Sequence, residues 1–474
     1  MAPPRISRSG ATFAAFAGLV DAAMVVASAH WRGLPISLTG DPAVYVQVAG
    51  RLALEGRLVD CADVALTHFP PLYPALLALP IALGLPPIDA ITVVVALCRA
   101  LTTALCGIFL LQAGARGWVT ALGIASIILS DASFIALNGA QSEVPYVTLT
   151  MGLLVALQRF RASGTMAALL VASALAAAAT LTRYVGILGQ GFGVLVVLAF
   201  TFRGRGLRPA VVFAAVTAAP VIYWLVRNSL ISDGPVGDRG AGGHDPLATI
   251  IFFAERVAEW FVMLPGLGSA TRLWMVSAGL VALGVLAARH RRQAPDLWWS
   301  AALSGGFALS FLVGLGLLRL VVEAEMSTRM IIPILPPSIL AVALAIGCVM
   351  TGRSRSGRLA AVALWSIWLA IPTKNVMASV FGLHSNAPLF ASAPTVRADM
   401  TLSMAASEPR IVAADLVTAD WLFLHLGRCV PLDMPPPYLR VGINSKGGHS
   451  LEPAQPCTGC SAPGARNIEA MWVR

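Results

Sequence analysis

Residues 165–200 read TMAALLVASALAAAATLTRYVGILGQGFGVLVVLAF, two apolar runs separated by one charged residue, Arg183. Each run has the length of a helix that crosses the hydrocarbon core of a bilayer, and neither has the alternating pattern of a barrel strand. Similar runs recur along the 474 residues, of which 57% are apolar and 12% are charged. Soluble domains carry about a quarter charged residues, so that class is excluded. The sequence predicts an all-α polytopic membrane protein.

Basic clusters between the apolar runs set the predicted topology. The positive-inside rule places these clusters in the cytoplasm: Arg5/Arg8, Arg116, Arg159/Arg161, Arg203/Arg205/Arg208, Arg289/Arg291/Arg292 and Arg353/Arg355/Arg358. About eleven spans follow, with the N-terminus inside and the C-terminus outside. They are predicted near residues 12–30, 92–112, 117–131, 144–158, 165–181, 185–202, 209–226, 272–288, 297–318, 331–350 and 359–375.

The excess of 33 Lys and Arg over 23 Asp and Glu is explained by the same clusters. These small clusters lie between apolar runs and do not form a patch with interleaved aromatics, so a nucleic-acid partner is not expected. The first run contains Asp21 and lacks a clean cleavage site, which indicates an uncleaved first span. The expected location is the plasma (inner) membrane, with membrane lipids as partners.

Two regions outside the spans shape the predicted domain organisation. Residues 72–84 hold two prolines in a short apolar stretch, which favours a helix lying in the headgroup region over a span. The chain divides into a membrane domain, 1–375, with a first outer loop at 31–91, and an extracytoplasmic domain at 376–474. In the latter, EPRIVAADLVTADWLFLHLG (408–427) predicts a strand followed by a helix, typical of a small α/β domain.

Four of the seven cysteines fall on the predicted outer face: Cys61, Cys429, Cys457 and Cys460. Cys457 and Cys460 are spaced as half a zinc site or a redox pair. No second cysteine or histidine pair stands at ligand spacing, so structural disulfides are favoured and their connectivity is open. No metal site is predicted.

Two acidic residues stand at the outer ends of apolar runs. Asp41 follows the first span in GDPAVYVQVAGRLALEG (40–56), where an amphipathic helix would hold its carboxylate at the membrane surface. Capping of that helix is the alternative role, compatible with catalysis. Glu143 enters a span in SEVPY, and at that depth it needs a partner or a water-filled cavity. Helix-dipole stabilisation by Glu143, with capping by Ser142, is the alternative.

Two arginines stand on the outer face, where positive residues are otherwise rare. Arg183 interrupts two apolar runs, and Arg329 precedes a span in STRM. Guanidinium groups bind phosphate oxygens in pairs, so a lipid phosphate headgroup is the expected ligand, with snorkelling to ordinary lipids as the alternative. Arg227 and Arg239 flank a Gly-rich loop and are weaker candidates, because that loop lacks the context of a nucleotide P-loop.

His68 precedes Phe69-Pro70-Pro71, a rigid extended segment that would project the imidazole beside the first loop helix. It is a candidate for contact with sugar or phosphate, the alternative being a local hydrogen bond.

Several segments, taken in order, resemble the C-type glycosyltransferase (GT-C) superfamily, to which protein O-mannosyltransferases and lipid A aminoarabinose transferases belong. The first is Asp41 after a span, followed by Tyr45 and a helix that ends at Gly56. The others are THFPPLYPALL (67–77), LCRALTTALCG (97–107), SDASFIALNGAQSEVPY (130–146), TLTRYVGIL (180–188), WLVRNSLISDGPVGDRG (224–240), STRMIIPILPP (327–337) and FLHLGRCVPLDMP (423–435). Their order and spacing carry the resemblance, since no segment is specific alone.

The resemblance implies an enzyme that moves a hexosyl or pentosyl group from a polyprenyl phosphate to a glycan, lipid or protein acceptor. Asp41 would be the essential acid and the base that deprotonates the acceptor, with inversion at the anomeric carbon. Glu143 would occupy the second acidic position of these enzymes as the second catalytic candidate, and Tyr45 would lie among the substrate-binding residues. Pro42 stands where many relatives have a second acid, so a divalent metal is doubtful and no cofactor is predicted.

Two other functions remain open from the sequence. A transporter or flippase of lipid-linked sugars would also use outer arginines and embedded carboxylates, but neither inverted repeats nor paired broken helices are visible. A polysaccharide polymerase would also use outer arginines, and it would be favoured if Asp41 were not essential.

Overall fold

The computed structural model describes the membrane-embedded part of the chain and three short strands of the tail. The described residues are 7–32, 41–61, 63–130, 141–202, 204, 206–232, 234–237, 242–263, 266–322, 327–351, 353–380, 411–413, 439–443 and 449–453.

Helices make up nearly all of the described part of residues 1–380. In chain order they are α1 (Arg8–Arg32), α2 (Asp41–Glu55), α3 (Leu72–Ala82), α4 (Pro87–Gln112), α5 (Gly117–Ile128), α6 (Glu143–Ser163), α7 (Met166–Thr182), α8 (Ile187–Thr201), α9 (Arg208–Ile231), α10 (Pro246–Phe261), α11 (Ser269–His290), α12 (Pro295–Leu318), α13 (Leu335–Val349) and α14 (Arg355–Val380). Short 3-10 helices, Tyr184–Gly186 and Thr328–Ile334, precede α8 and α13.

Eight helices of the described residues are long and apolar enough to cross a membrane. They are α1, α4, α9, α11, α12 and α14, together with α8 and α13 when their 3-10 turns are included. The chain is therefore a polytopic, predominantly α-helical membrane protein, as the sequence predicts.

All eleven predicted spans coincide with helices, but three of those helices do not by themselves meet the criteria for a span. α5 and α7 are short, and α6 carries Glu143, Arg159 and Arg161 among its 21 residues. The number eleven thus stays a prediction. α3 forms as a separate helix of 11 residues, and its position in the headgroup region also stays a prediction.

The sequence analysis did not predict a helix in residues 227–271, which lie between two predicted spans and form a loop in that topology. α10 lies within that loop, begun by Asp245, whose carboxylate accepts a hydrogen bond of 2.9 Å from the Leu247 amide, and by Pro246 in the first turn. Charged residues such as Glu255 and Arg256 make this segment too polar to read as a span.

α1 and α4 pack closely because small residues face each other. A Cβ atom on Gly18 would lie 2.4 Å from the carbonyl oxygen of Ala100, and one on Gly107 would lie 2.8 Å from the Cβ of Ala14. The same interface contains a buried ion pair, in which Arg99 Nη2 lies 2.6 Å from Asp21 Oδ1. Close backbone approach is the usual packing mode of membrane helices, and the ion pair sets the register of these two.

The break between α7 and α8 places Arg183 at the helix ends. Arg183 has an extended backbone (φ −148°, ψ 131°), so α7 stops at Thr182 and the chain turns through Tyr184–Gly186. Only glycine fits at 186, since a Cβ there would lie 2.6 Å from the backbone of Thr180. The arginine is therefore held on a sharp turn between two apolar helices.

The tail contributes three strands, β1 (Ile411–Ala413), β2 (Leu439–Ile443) and β3 (His449–Pro453). β2 lies in the middle, parallel to β1 and antiparallel to β3. β1 is the strand predicted in EPRIVA. The helix predicted after it lies outside the described residues, and the tail as an α/β domain stays a prediction.

The cysteines divide as their predicted positions suggest. Cys98, Cys106 and Cys348 are buried and free within helices, and Cys61 is disulfide-bonded. The other three outer cysteines lie outside the described residues.

Candidate active site

A cavity of about 520 Å³ opens where several helices end. Its walls come from the start of α2, the segment before α3, the start of α6, the break between α7 and α8, and the ends of α9 and α12. Six of the residues singled out from the sequence line it: Asp41, Tyr45, His68, Glu143, Arg183 and Arg329.

Two carboxylates and two guanidinium groups form a continuous chain of ion pairs in this cavity. Glu143 Oε1 lies 2.7 Å from Arg183 Nη1 and 3.2 Å from Arg329 Nε. Arg329 Nη2 in turn lies 3.2 Å from Asp41 Oδ2. Arg329 is therefore shared between the two acidic residues.

Glu143 is the centre of this chain. Its side chain is fully buried, so its charge requires a partner, and it has two. It is also the first residue of α6, where the helix dipole favours a negative charge. One buried oxygen thus orients both guanidinium groups on the wall of the cavity.

Ser142 supports the same arrangement, in a way the sequence did not indicate. The alternative reading made it a helix cap, but its side chain makes no capping hydrogen bond. Instead, its hydroxyl accepts a hydrogen bond of 2.9 Å from Arg183 Nη1 and lies 3.2 Å from the hydroxyl of Tyr45.

Tyr45 is buried one turn after Asp41 on α2. Its ring contacts Phe69 and Tyr73 edge-on, with centroids 4.8 and 5.0 Å apart. Burial, and then the negative charge of Asp41, raise the pKa of Tyr45 well above its usual value. The phenol is therefore neutral at physiological pH and remains a hydrogen-bond donor.

Asp41 differs from Glu143 in its access to solvent. It is the first residue of α2, and 42% of its side chain is exposed. Among the described residues, its ion pairing is with Arg329 alone. Its carboxylate can therefore reach a molecule that enters the cavity.

The remaining candidates are placed differently. His68 lies on the cavity wall, with its ring edge-on to Phe69 at 4.8 Å. Arg227 is not part of the lining: its guanidinium donates to the carbonyl oxygen of Leu66 and lies 4.5 Å from the ring of Trp224. Arg239 lies outside the described residues.

Sequence reasoning also missed Tyr184, which lines the cavity, and Asn228, which lies behind its wall. Asn228 is fully buried near the end of α9 and bonds both the first loop and the Tyr184 hydroxyl. Asn228 is a polar residue within the apolar run WLVRNSL, and this position was the available signal. The neighbouring Arg227 was singled out instead because it is charged.

Metal-ligating side chains do not converge here. Within the part of the chain that the structure describes, no three His, Cys, Asp or Glu side chains are grouped as a metal site.

No protein-family model and no curated protein matches this sequence, whereas solved structures match its fold. ArnT from Cupriavidus metallidurans in the apo state superimposes with a TM-score of 0.57 at 16% identity, over 87% of this chain and 84% of that one. ArnT from the same organism bound to undecaprenyl phosphate has a TM-score of 0.55 at 16% identity, over 90% and 86%.

A third structure, arabinosyltransferase EmbB from Mycobacterium smegmatis, has a TM-score of 0.40 at 16% identity, over 77% of this chain and 37% of that one. That score is too low to support an argument. The two ArnT structures show that this chain has the fold of ArnT, which is the fold that the resemblance in the sequence implies.

Proposed function

We propose that this protein is a membrane glycosyltransferase that moves a sugar from a polyprenyl-phosphate donor to an acceptor on the extracytoplasmic face. The observation that carries the proposal is the cavity in which Arg183, Arg329, Glu143 and Asp41 meet. The fold supports it, because ArnT, which shares that fold, has been solved with undecaprenyl phosphate bound.

The cavity has a polar end and an apolar side, as a lipid phosphate requires. The apolar side is formed by residues from three helix ends: Val185, Ile187, Val221, Leu225, Leu318 and Val322. A polyprenyl chain would pack there, while its phosphate accepts charge-assisted hydrogen bonds from Arg183 and Arg329. Because Glu143 holds both guanidinium groups through one oxygen, they are close enough to bind one phosphate group together.

The reaction then follows from where charge moves. The acceptor oxygen attacks the anomeric carbon as Asp41 removes its proton, and the bond from that carbon to the phosphate oxygen breaks. The electron pair goes to the phosphate, whose added charge the two arginines stabilise. Attack opposite the leaving group inverts the anomeric carbon.

Arg329 connects donor binding with the base. In the structure its Nη2 lies 3.2 Å from Asp41 Oδ2, so the guanidinium group occupies that carboxylate. A donor phosphate would compete for the same guanidinium group and leave Asp41 free for the acceptor. Glu143, buried and bound to both arginines, would position them and take no part in proton transfer.

The position of the cavity supports an extracytoplasmic reaction at the plasma membrane. On α6, Glu143 is at the cavity and Arg159 and Arg161 are at the opposite end. On α9, Arg208 is at the first residue and the cavity residue Leu225 is near the end. Since arginine clusters mark the cytoplasmic side, the cavity would lie outside.

Mass spectrometry of envelope lipids, glycans and glycoproteins tests the activity. Cells lacking the gene should lose one sugar modification, and the wild-type gene should restore it while Asp41→Asn should not. An unchanged envelope in the deletion strain, or restoration by Asp41→Asn, would contradict the proposal.

A further inference from the structure

One wall of the cavity is held by a hydrogen-bonded cluster in which Tyr184 lines the cavity and Asn228 lies behind it. We infer that Asn228 and Tyr184 are positioning residues that place the wall His68–Pro70 opposite Arg183. The inference rests on the proposed function and deepens it, because it assigns a role at the same site to these two residues.

Asn228 is the centre of the cluster. It is fully buried, and its Nδ2 lies within hydrogen-bond distance of three acceptors from different segments. These are the carbonyl oxygen of Thr67 at 3.2 Å, the hydroxyl of Tyr184 at 3.0 Å and the carbonyl oxygen of Pro235 at 3.0 Å. Its Oδ1 accepts a hydrogen bond of 2.9 Å from Arg227. One amide therefore joins the first loop, the break before α8 and the loop after α9.

Tyr184 completes the cluster. Its hydroxyl donates to the carbonyl oxygen of Thr67 at 2.9 Å and accepts from the indole nitrogen of Trp224 at 3.0 Å. The face of α9 that carries Trp224, Arg227 and Asn228 is thus fastened to the first loop. The acceptor in the first loop is a backbone carbonyl, which cannot move independently of the chain as a side chain can. These bonds therefore fix the path of the loop itself.

Each anchored residue lies in the cavity lining or next to it in sequence. Thr67 precedes His68 and Pro235 precedes Val236, while Tyr184 lines the cavity beside Arg183. The loop after α9 also packs on the wall directly: Gly237 has a φ of 74°, and a Cβ there would lie 2.9 Å from the Cα of His68. A shift of the cluster would therefore move the histidine wall and the phosphate-binding arginine together.

Asn228→Ala and Tyr184→Phe test the inference in the full chain, purified into nanodiscs. The matched control is Gln158→Ala, which removes another buried amide, hydrogen-bonded to Ser300, from the opposite end of α6. That residue lies roughly 22 Å along the helix from Glu143, given a rise of 1.5 Å per residue. A second control, Tyr223→Phe, removes an exposed phenol beside Trp224.

Two measurements are made on each variant. Hydrogen exchange of backbone amides in residues 64–73 reports how firmly the wall is held in place, and this measurement needs no ligand. The affinity for undecaprenyl phosphate, measured on the folded population by native mass spectrometry, reports the arginine site. In Asn228→Ala and Tyr184→Phe the exchange of this segment should accelerate and the affinity should fall about five- to ten-fold, the effect of one lost hydrogen bond. Both controls should leave the two quantities unchanged.

The inference is overturned if exchange of residues 64–73 is unaltered in Asn228→Ala, or if Gln158→Ala changes exchange and affinity to the same extent. Failure of the proposed function has a different signature, in which the wild-type protein does not bind undecaprenyl phosphate. In that case the exchange measurement alone still decides whether the cluster positions the wall.

Discussion

Within the part of the chain that the structure describes, the Asp21–Arg99 pair and the ion pairs of the cavity use the same chemistry and differ in access. In the helix interior, Asp21 and Arg99 pair with side chains that are each 1% exposed. At the cavity, Glu143 is equally buried, but Arg183, Arg329 and Asp41 are 15%, 31% and 42% exposed. The first cluster is sealed between α1 and α4, whereas the second presents its partners to a cavity. Access, and not the presence of charge in an apolar region, distinguishes the site from the scaffold.

The largest effect should come from the most exposed member of the cavity cluster. Asp41→Asn keeps the size and the capping ability of the side chain and removes its capacity to accept a proton. Turnover with a purified lipid-linked donor should fall about 10²–10⁴-fold, while folding and donor affinity are retained. If the Asn variant transfers sugar at a near-native rate, Asp41 only caps the helix.

Substitutions in the buried Asp21–Arg99 pair should lower the stability of the protein and leave its transfer activity unchanged. Asp21→Asn leaves Arg99 charged and buried without its anion, which should lower the free energy of unfolding by about 3–5 kcal/mol. Removing both charges, as in Asp21→Asn with Arg99→Gln, should recover much of that loss. Unfolding by denaturant in mixed micelles measures both variants. Transfer per folded molecule should be unchanged, so a specific loss of transfer would erase the distinction between the clusters.

The third largest effect is expected for the two cavity arginines, whose substitution should weaken donor binding. Arg183→Ala and Arg329→Ala should each weaken the affinity for the donor lipid by about 1.5–3 kcal/mol, the scale of hydrogen bonds to charged groups. Lys should rescue either position only in part, since it lacks the paired donors of guanidinium. Titration with undecaprenyl phosphate measures the change. Unaltered affinity in both Ala variants would return these residues to ordinary contacts with lipid headgroups.

Tyr45→Phe should have the smallest effect. It removes a hydroxyl that supports Ser142, a change worth about 0.5–1.5 kcal/mol in donor affinity. Because burial raises the pKa of Tyr45 well above its usual value, the phenol stays protonated up to and beyond its ordinary pKa. The ratio of wild-type to variant affinity should therefore be constant from pH 7 to pH 9. A ratio that changes across this range would show that the phenol ionises there.

Much of this arrangement could be predicted from isolated residues. Asp41, Glu143, Arg183 and Arg329 each interrupt or begin an apolar run, and that local signal placed all four on one side of the membrane. The pairing of Arg329 with Glu143 could not be predicted in the same way, because 186 residues separate them and helix packing brings them together.

Polar residues without charge were harder to interpret. Asn228 and Ser142 carry no topological signal, and their partners are distant in sequence: the Thr67 carbonyl oxygen for Asn228 and the Arg183 guanidinium group for Ser142. The helix α10 was missed for a related reason, since an amphipathic segment inside a loop resembles neither a span nor a turn. The local sequence pattern identified the charged residues of the site. Their hydrogen-bond and ion-pair partners are set by the packing of the helices and could not be read from that pattern.

The most direct test of the central claim is the structure of this protein with undecaprenyl phosphate, determined by cryo-electron microscopy in nanodiscs. The account predicts that the phosphate lies about 2.7–2.9 Å from guanidinium nitrogens of both Arg183 and Arg329, with the Asp41 carboxylate released from Arg329. Phosphate bound elsewhere, for instance at the cluster of Arg289, Arg291 and Arg292, with the ion pairs of the cavity unchanged, would contradict it.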